Sequence, residues 1–272
     1  MNYRHAFHAG NPADCMKHAL LVWMLRALTR KPAPIFVLDT HAGLGRYDLL
    51  SDPAERTGEW RAGIARLLHE PPPPLADYVA LVERLGLYPG SPALIRALLR
   101  PDDRMACCEL HPEDHAGLAR LFRGDRQMGV HLRDGYAAIG ALLPPRQARG
   151  LVLIDPPFEA PGEFDRVLAA LQLGAARFAA GVYAAWYPIK HRSPVRAFHE
   201  AVQFAGLRDV VCAETWWREP TDPARLNGCG LLVRNPPWGF EAAAPDVLAA
   251  LLGRLDDKQF GYGCALLRLT DE

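Results

Sequence analysis

Short apolar runs recur along the chain, most of them separated by stretches with helical spacing. The runs are Ile35 to Asp39, Met105 to Glu109, Val130 to Arg133, Leu151 to Ile154, Val182 to Trp186, Asp209 to Cys212 and Gly230 to Val233. Ala/Leu/Arg stretches such as His115 to Phe122 and Phe164 to Phe178 lie between them, and a helix over Ala13 to Thr29 precedes the first. Apolar strands alternating with helices predict an α/β fold, with a mostly parallel sheet of about seven strands covered by helices on both faces. A last run, Cys264 to Leu269, is either an eighth strand or a substitute for one of the seven. Ligands of such sheets bind beyond the carboxyl ends of the strands.

The rhythm breaks once. The step from Asp39 to Glu109 is about three times as long as those from Glu109 to Asp134 and from Asp134 to Asp155. A helical insertion over 47–93 is therefore expected, interrupting a main domain made of 1–46 and 94–272. Its pattern predicts helices over Trp60 to Leu68 and Leu75 to Leu85, broken by Pro71 to Pro74. It reads equally well as a decorative subdomain or as a substrate-binding lid.

Composition narrows the classes. Lys+Arg and Asp+Glu are both 31, so the formal charge is zero and any nucleic-acid contact must rest on a local basic face. The basic residues are 27 Arg and 4 Lys. The six cysteines form no paired framework, and Cys107 and Cys108 are adjacent in an apolar run, which suits reduced thiols in a cytoplasmic protein. The first residues lack an apolar signal core, and the most hydrophobic stretch, Ala19 to Leu28, is too short to span a bilayer and contains Arg26. No Ser elbow argues for a hydrolase, and the loop after the first strand is not GxGxxG, which weakens a nicotinamide reading.

The chemistry concentrates at strand ends. Asp155-Pro156-Pro157-Phe158 directly follows the run Leu151 to Ile154. An exocyclic adenine amine is a poor nucleophile because its lone pair is delocalised into the ring. A site that methylates it must accept both N–H groups, one on a carboxylate and one on a backbone carbonyl. Asp155 supplies the carboxylate, the prolines fix φ and leave the Pro156 carbonyl free, and Phe158 offers a plate for stacking. Asn235-Pro236-Pro237-Trp238 fits the same logic with an amide, but follows a late strand where no cofactor cleft is expected. Asp39-Thr40-His41-Ala42-Gly43-Leu44-Gly45 follows the first strand, its small residues allowing a nucleoside to approach the backbone. Glu109 suits ribose hydroxyls, and Asp134-Gly135 suits the cofactor's adenine. The regular series Asp39, Glu109, Asp134, Asp155 carries the reading. The pairs His5-x-x-His8 and Cys15-x-x-His18 imitate a zinc site with the wrong spacing, so no metal is expected.

Together these residues resemble the bacterial large-subunit ribosomal RNA adenine-N6 methyltransferases of the RlmJ type. The most specific stretches are Tyr3 to Asn11, Leu38 to Gly43, Tyr88-Pro89-Gly90-Ser91-Pro92, Glu109 to Pro112 and Asp155-Pro156-Pro157. The resemblance implies a Rossmann-like, S-adenosyl-L-methionine (AdoMet)-dependent methyltransferase with a small helical insert, a monomer acting on protein-free RNA. It implies that Asp155 is the catalytic acceptor, beside which the chemistry of the tetrad sets the Pro156 carbonyl and the Phe158 ring. Cofactor contacts fall to His18, His41, Gly43, Ser91, Glu109, Asp134, Gly135 and Asp155, and substrate RNA to Tyr3, with His5 and Lys17 as helpers. Phe158 stands where relatives often have Tyr, which keeps stacking and loses a phenolic hydrogen bond. The alternatives are a DNA adenine or protein glutamine methyltransferase, or an inactive nucleic-acid-binding relative.

Overall fold

The computed structural model describes residues 4–255 and 258–272, and the Tyr3 expectation lies outside them. Along the chain the strands are β1 (Ile35–Asp39), β2 (Arg46–Tyr47), β3 (Tyr88–Pro89), β4 (Arg104–Glu109), β5 (Met128–Leu132), β6 (Arg149–Ile154), β7 (Val182–Ile189), β8 (Val210–Trp216), β9 (Gly228–Arg234) and β10 (Gly263–Thr270). The helices are α1 (Pro12–Thr29), α2 (Asp52–Thr57), α3 (Ala76–Leu85), α4 (Ser91–Leu98), α5 (Pro112–Leu121), α6 (Gly135–Leu142), α7 (Glu163–Arg177), α8 (Arg192–Phe204) and α9 (Phe240–Arg254).

One eight-stranded sheet runs in the order β10-β8-β9-β7-β6-β1-β4-β5. The strands β5, β4, β1, β6 and β7 are parallel, β9 runs against β7 and β8, and β10 lies antiparallel on the β8 edge. The last apolar run is thus an eighth strand and replaces none of the others. The central strands are buried on both faces. Leu151 and Leu153 of β6 join a core with α1 and α9, and Val152 and Ile154 join one with Val167 of α7 and Val195 of α8. At about 25 cal/mol per Å² of apolar surface, this two-sided burial is the main favourable term. In register, Asp39 lies beside Leu153 and Cys107, and Ile154 beside Ala185, which brings the strand-end acids to one edge.

Between β2 and β3, which pair with each other, lie α2, α3 and three 3-10 turns. The helix expected over Trp60 to Leu68 is instead two of those turns, Glu59–Arg61 and Ile64–Arg66. The reason is local. The Ile64 N–H donates to the Gly10 carbonyl at 2.8 Å, and a Cβ on Gly63 would lie 2.1 Å from that same oxygen. The N-terminal turn takes the backbone donor that a continuing helix would need. The helix expected over Leu75 to Leu85 is present as α3, and its Val79 and Val82 pack into the core shared with α1 and α9. Among the described residues no helix is long and apolar enough to cross a membrane.

Candidate active site

Asp155 leaves the tip of β6 and meets α1. Asn11 caps that helix, its side-chain oxygen accepting from the Asp14 N–H at 2.9 Å, with Pro12 following in the first turn. This start fixes Asp14 and Lys17 one turn apart on the same face. The Lys17 ammonium, 5% exposed, donates to Asp14 Oδ1 at 2.9 Å and to Asp155 Oδ2 at 2.5 Å. The other Asp14 oxygen accepts from His5 Nε2 at 2.8 Å and from the Gly10 N–H at 3.0 Å. Burial would raise the Asp14 carboxyl, yet His5 and Lys17 hold it well below the carboxylate range. Burial would lower Lys17, and the two carboxylates hold it well above its usual value. A cation is thus shared between two anions, one of them the strand-end acid. Asp155 itself is 14% exposed. Its second oxygen accepts nothing from the described residues.

The loop after β1 lies next to this tip. The Thr40 hydroxyl donates to the Leu153 carbonyl at 2.9 Å, so its oxygen accepts from His41 Nδ1 at 2.7 Å. That fixes the tautomer and leaves His41 Nε2 a bare acceptor. Burial pushes His41 down to about 4 and His18 down to about 3, so both rings are neutral. His18 Nδ1 sits 3.0 Å from the Tyr88 hydroxyl. Asp39 is fully buried. Ser91 donates to its Oδ2 at 2.7 Å, and its Oδ1 has no partner among the described residues. Burial, with Asp155 adding to it, pushes its carboxyl up to about 7. Glu109, at the tip of β4, accepts the N–H groups of Gly43 at 2.8 Å and His111 at 2.7 Å, tying the loop down. Asp134 caps α6 by accepting from the Ala137 N–H at 2.9 Å. A Cβ on Gly135 would lie 2.1 Å from the Thr40 carbonyl, so only glycine lets α6 meet the loop this closely.

The sequence-predicted residues Asp155, Pro156, Lys17, His18, His41, Gly43, Ser91, Glu109, Asp134 and Gly135 therefore share the carboxyl edge of the sheet. Lys17 is buried on Asp155, and the partly exposed His5 is held on Asp14. Phe158 departs from the group. Its backbone is left-handed at φ 52°, and its ring packs edge-on to Phe164 at 5.0 Å and Trp186 at 5.9 Å. Left-handed backbone at a non-glycine residue costs about 1–3 kcal/mol and collects at working loops. Asn235 lies at the other edge. Arg234 pairs with Tyr183 near the start of β7, and the Asn235 amide donates to the Ala180 and Gly181 carbonyls at 3.1 and 3.3 Å. His5, His8 and His18 are each committed to other partners, on Asp14, Glu59 and Tyr88. Sequence reading missed Asp14, although its spacing of three from Lys17 in a helix's first turns was the available signal.

The family model described as "Ribosomal RNA large subunit methyltransferase D, RlmJ" matches residues 32–265. The chain is 39% identical over 263 residues to "Ribosomal RNA large subunit methyltransferase J" of Escherichia coli, covering 94% of each. It is 38% identical over 260 residues to the protein of that name from Haemophilus influenzae, covering 92% of each. The crystal structure of protein LPL1258 from Legionella pneumophila superposes with a TM-score of 0.87 at 30% identity, covering 96% of this chain and 98% of that one. The chain belongs to the RlmJ family of ribosomal RNA large subunit methyltransferases.

Proposed function

We propose that the protein methylates the N6 amine of one adenine in large-subunit (23S) ribosomal RNA, acting as a monomer on protein-free RNA. The observation that carries this reading is Asp155. A carboxylate at a strand tip has one oxygen held by a buried lysine and the other open to accept an N–H. Bound AdoMet would supply an electrophilic methyl on a sulfonium. The residues present fit such a group. Asp39 Oδ1 is a buried acceptor with no donor among the described residues, Gly135 lets α6 sit directly against the Thr40 carbonyl of the loop after β1, and Glu109 and Ser91 flank that loop. His18, His41, Gly43 and Asp134 complete the holding set.

The protein's own part is orientation. Asp155 Oδ1 and the Pro156 carbonyl accept the two N–H groups of the amine, which favours a pyramidal nitrogen with an outward lone pair. Phe158 stacks on the base once that base is lifted out of its helix or loop. Asp155 then takes the proton that the methylated nitrogen sheds. Lys17 holds Asp155 in place, His5 acts through Asp14, and Tyr3 is proposed to meet the RNA. Residues 47–93 are proposed as a helical insertion into a domain made of 1–46 and 94–272.

The test is transfer of labelled methyl from AdoMet to protein-free large-subunit RNA, DNA and protein, with the modified base mapped. The expected product is N6-methyladenine in RNA alone. Asp155→Ala should lower transfer by about a hundred- to a thousandfold, the loss expected when a transition-state hydrogen-bond partner is removed, with AdoMet binding mostly intact. Label in DNA or protein, or full turnover by the variant, would sink the reading.

A further inference from the structure

A cleft of about 260 Å³ opens beside the catalytic loop, on the α7 and α8 face of the sheet. Phe158, Phe164, Pro188 and Pro194 line it, and Lys190 and His191 sit at its rim. Asp155 and Lys17 are not among its walls, so it adjoins the carboxylate's side of the strand tip without including it. Its walls are flat and nearly free of donors: two phenyl rings in edge contact at 5.0 Å, and two pyrrolidines. Flat apolar walls suit a planar ring more than a branched side chain.

The rim has a sign. Lys190 is exposed and no carboxylate pairs with it among the described residues, while the Asn227 amide holds its carbonyl at 2.6 Å and so fixes its backbone. His191 Nδ1 accepts from the Ser193 N–H at 3.1 Å, which turns Nε2 outward. The one carboxylate in the lining, Glu163, is buried and committed to the Tyr136 hydroxyl at 2.6 Å and to Arg166 at 3.4 Å. A positive rim over a stacking slot matches the two parts of a nucleotide, phosphate and base.

We propose that this cleft holds the nucleotide adjacent to the target adenine in single-stranded RNA, its base against Phe164 and the prolines and its phosphate on Lys190. The proposal rests on the functional reading above and adds to it a second subsite, sharing Phe158 with the first. Single-stranded RNA is recognised in this way when unstacked bases are splayed onto aromatic plates. A chain of zero net charge needs such a local device to hold a polyanion.

The test uses the full chain, Lys190→Gln and Ala160→Trp; Ala160 also lines the cleft, and both positions are exposed. Each variant is assayed for methyl transfer to protein-free large-subunit RNA, for AdoMet affinity by calorimetry, and for binding of a short single-stranded RNA across a salt series. Both should raise KM for RNA about tenfold, the scale of one lost stacked base or phosphate contact, with kcat, AdoMet affinity and melting temperature unchanged. Lys190→Gln alone should also make the slope of log affinity against log salt shallower by about 0.7, one phosphate's share on a single strand. Wild-type transfer with both variants matching it in KM and salt slope would overturn the cleft assignment alone. A wild type that binds the RNA and methylates none would remove the functional reading, and this proposal with it.

Discussion

At the scale of single residues, the organising fact is that Lys17 serves two carboxylates. Were it paired with Asp155 alone, the full ammonium would draw density from the carboxylate and make it a weaker acceptor for an amine N–H. Asp14 offsets this by taking part of the charge. Asp14→Asn should therefore lower kcat about tenfold, as a partner of a charge-assisted hydrogen bond worth about 1.5 kcal/mol is weakened, and leave AdoMet affinity within twofold. Asp14→Ala removes more, because Lys17 and His5 then lose a buried acceptor. Breaking a buried ion pair costs about 3–5 kcal/mol, which thermal melting would report as a fall of about 6–15 °C. An Asp14→Asn enzyme with unchanged kcat would mean that Lys17 is a structural tether only. The place of Asp155 at a strand tip was legible in the sequence, because the apolar run Leu151 to Ile154 ends directly before it. Asp14 was not, because its role depends on a neighbour 141 positions away, Asp155.

At the scale of elements, the N-terminal segment is stitched to the 3-10 turn Glu59–Arg61 and to α1. His8 donates to Glu59 at 2.9 Å, the Asn11 amide donates to Glu59 at 3.0 Å, and Gly63 lies flat against the Gly10 carbonyl. Gly63→Ala should force that contact apart, at a cost of about 1–3 kcal/mol for overpacking a close backbone approach. The loss should appear both in the melting temperature and in kcat, because Gly10 is one of the donors that position Asp14. A melting temperature and kcat equal to wild type would show that the two backbones can separate freely. The same stitch explains where sequence reading failed. Apolar spacing announced β1, β4, β6 and β7 and the helices between them, since each is decided by burial along its own length. The stretch from Trp60 to Leu68 has helical spacing as well, but its backbone donor is claimed by a turn fifty-four positions earlier, at Gly10. The strand β10 stayed ambiguous for a related reason. An edge strand exposes half its residues, and only its pairing with β8 identifies it.

At the scale of the whole molecule, Asp39 makes stability depend on pH. Its carboxyl lies at about 7 in the folded chain against 3.8 as a free side chain, because burial disfavours the charge. Between those values the folded state holds a proton that the unfolded state has released. Its contribution is therefore fully present below about pH 4, declines as pH rises, and is lost above about 7. A cationic ligand reverses the balance, since an ammonium or sulfonium near Oδ1 favours the ionised form. AdoMet should accordingly bind about tenfold more weakly at pH 6 than at pH 8, a difference of about 1.4 kcal/mol. At a fixed excess of AdoMet that difference amounts to about 3 °C, so the thermal shift the cofactor produces should be larger at pH 8. Asp39→Asn, isosteric and without the titration, should bind AdoMet more weakly at pH 8 and show no such dependence. The sheet thus holds an acid at the end of β1 in a protonated state that a bound cation or a rise in pH relieves, and equal thermal shifts at the two pH values would sever that link.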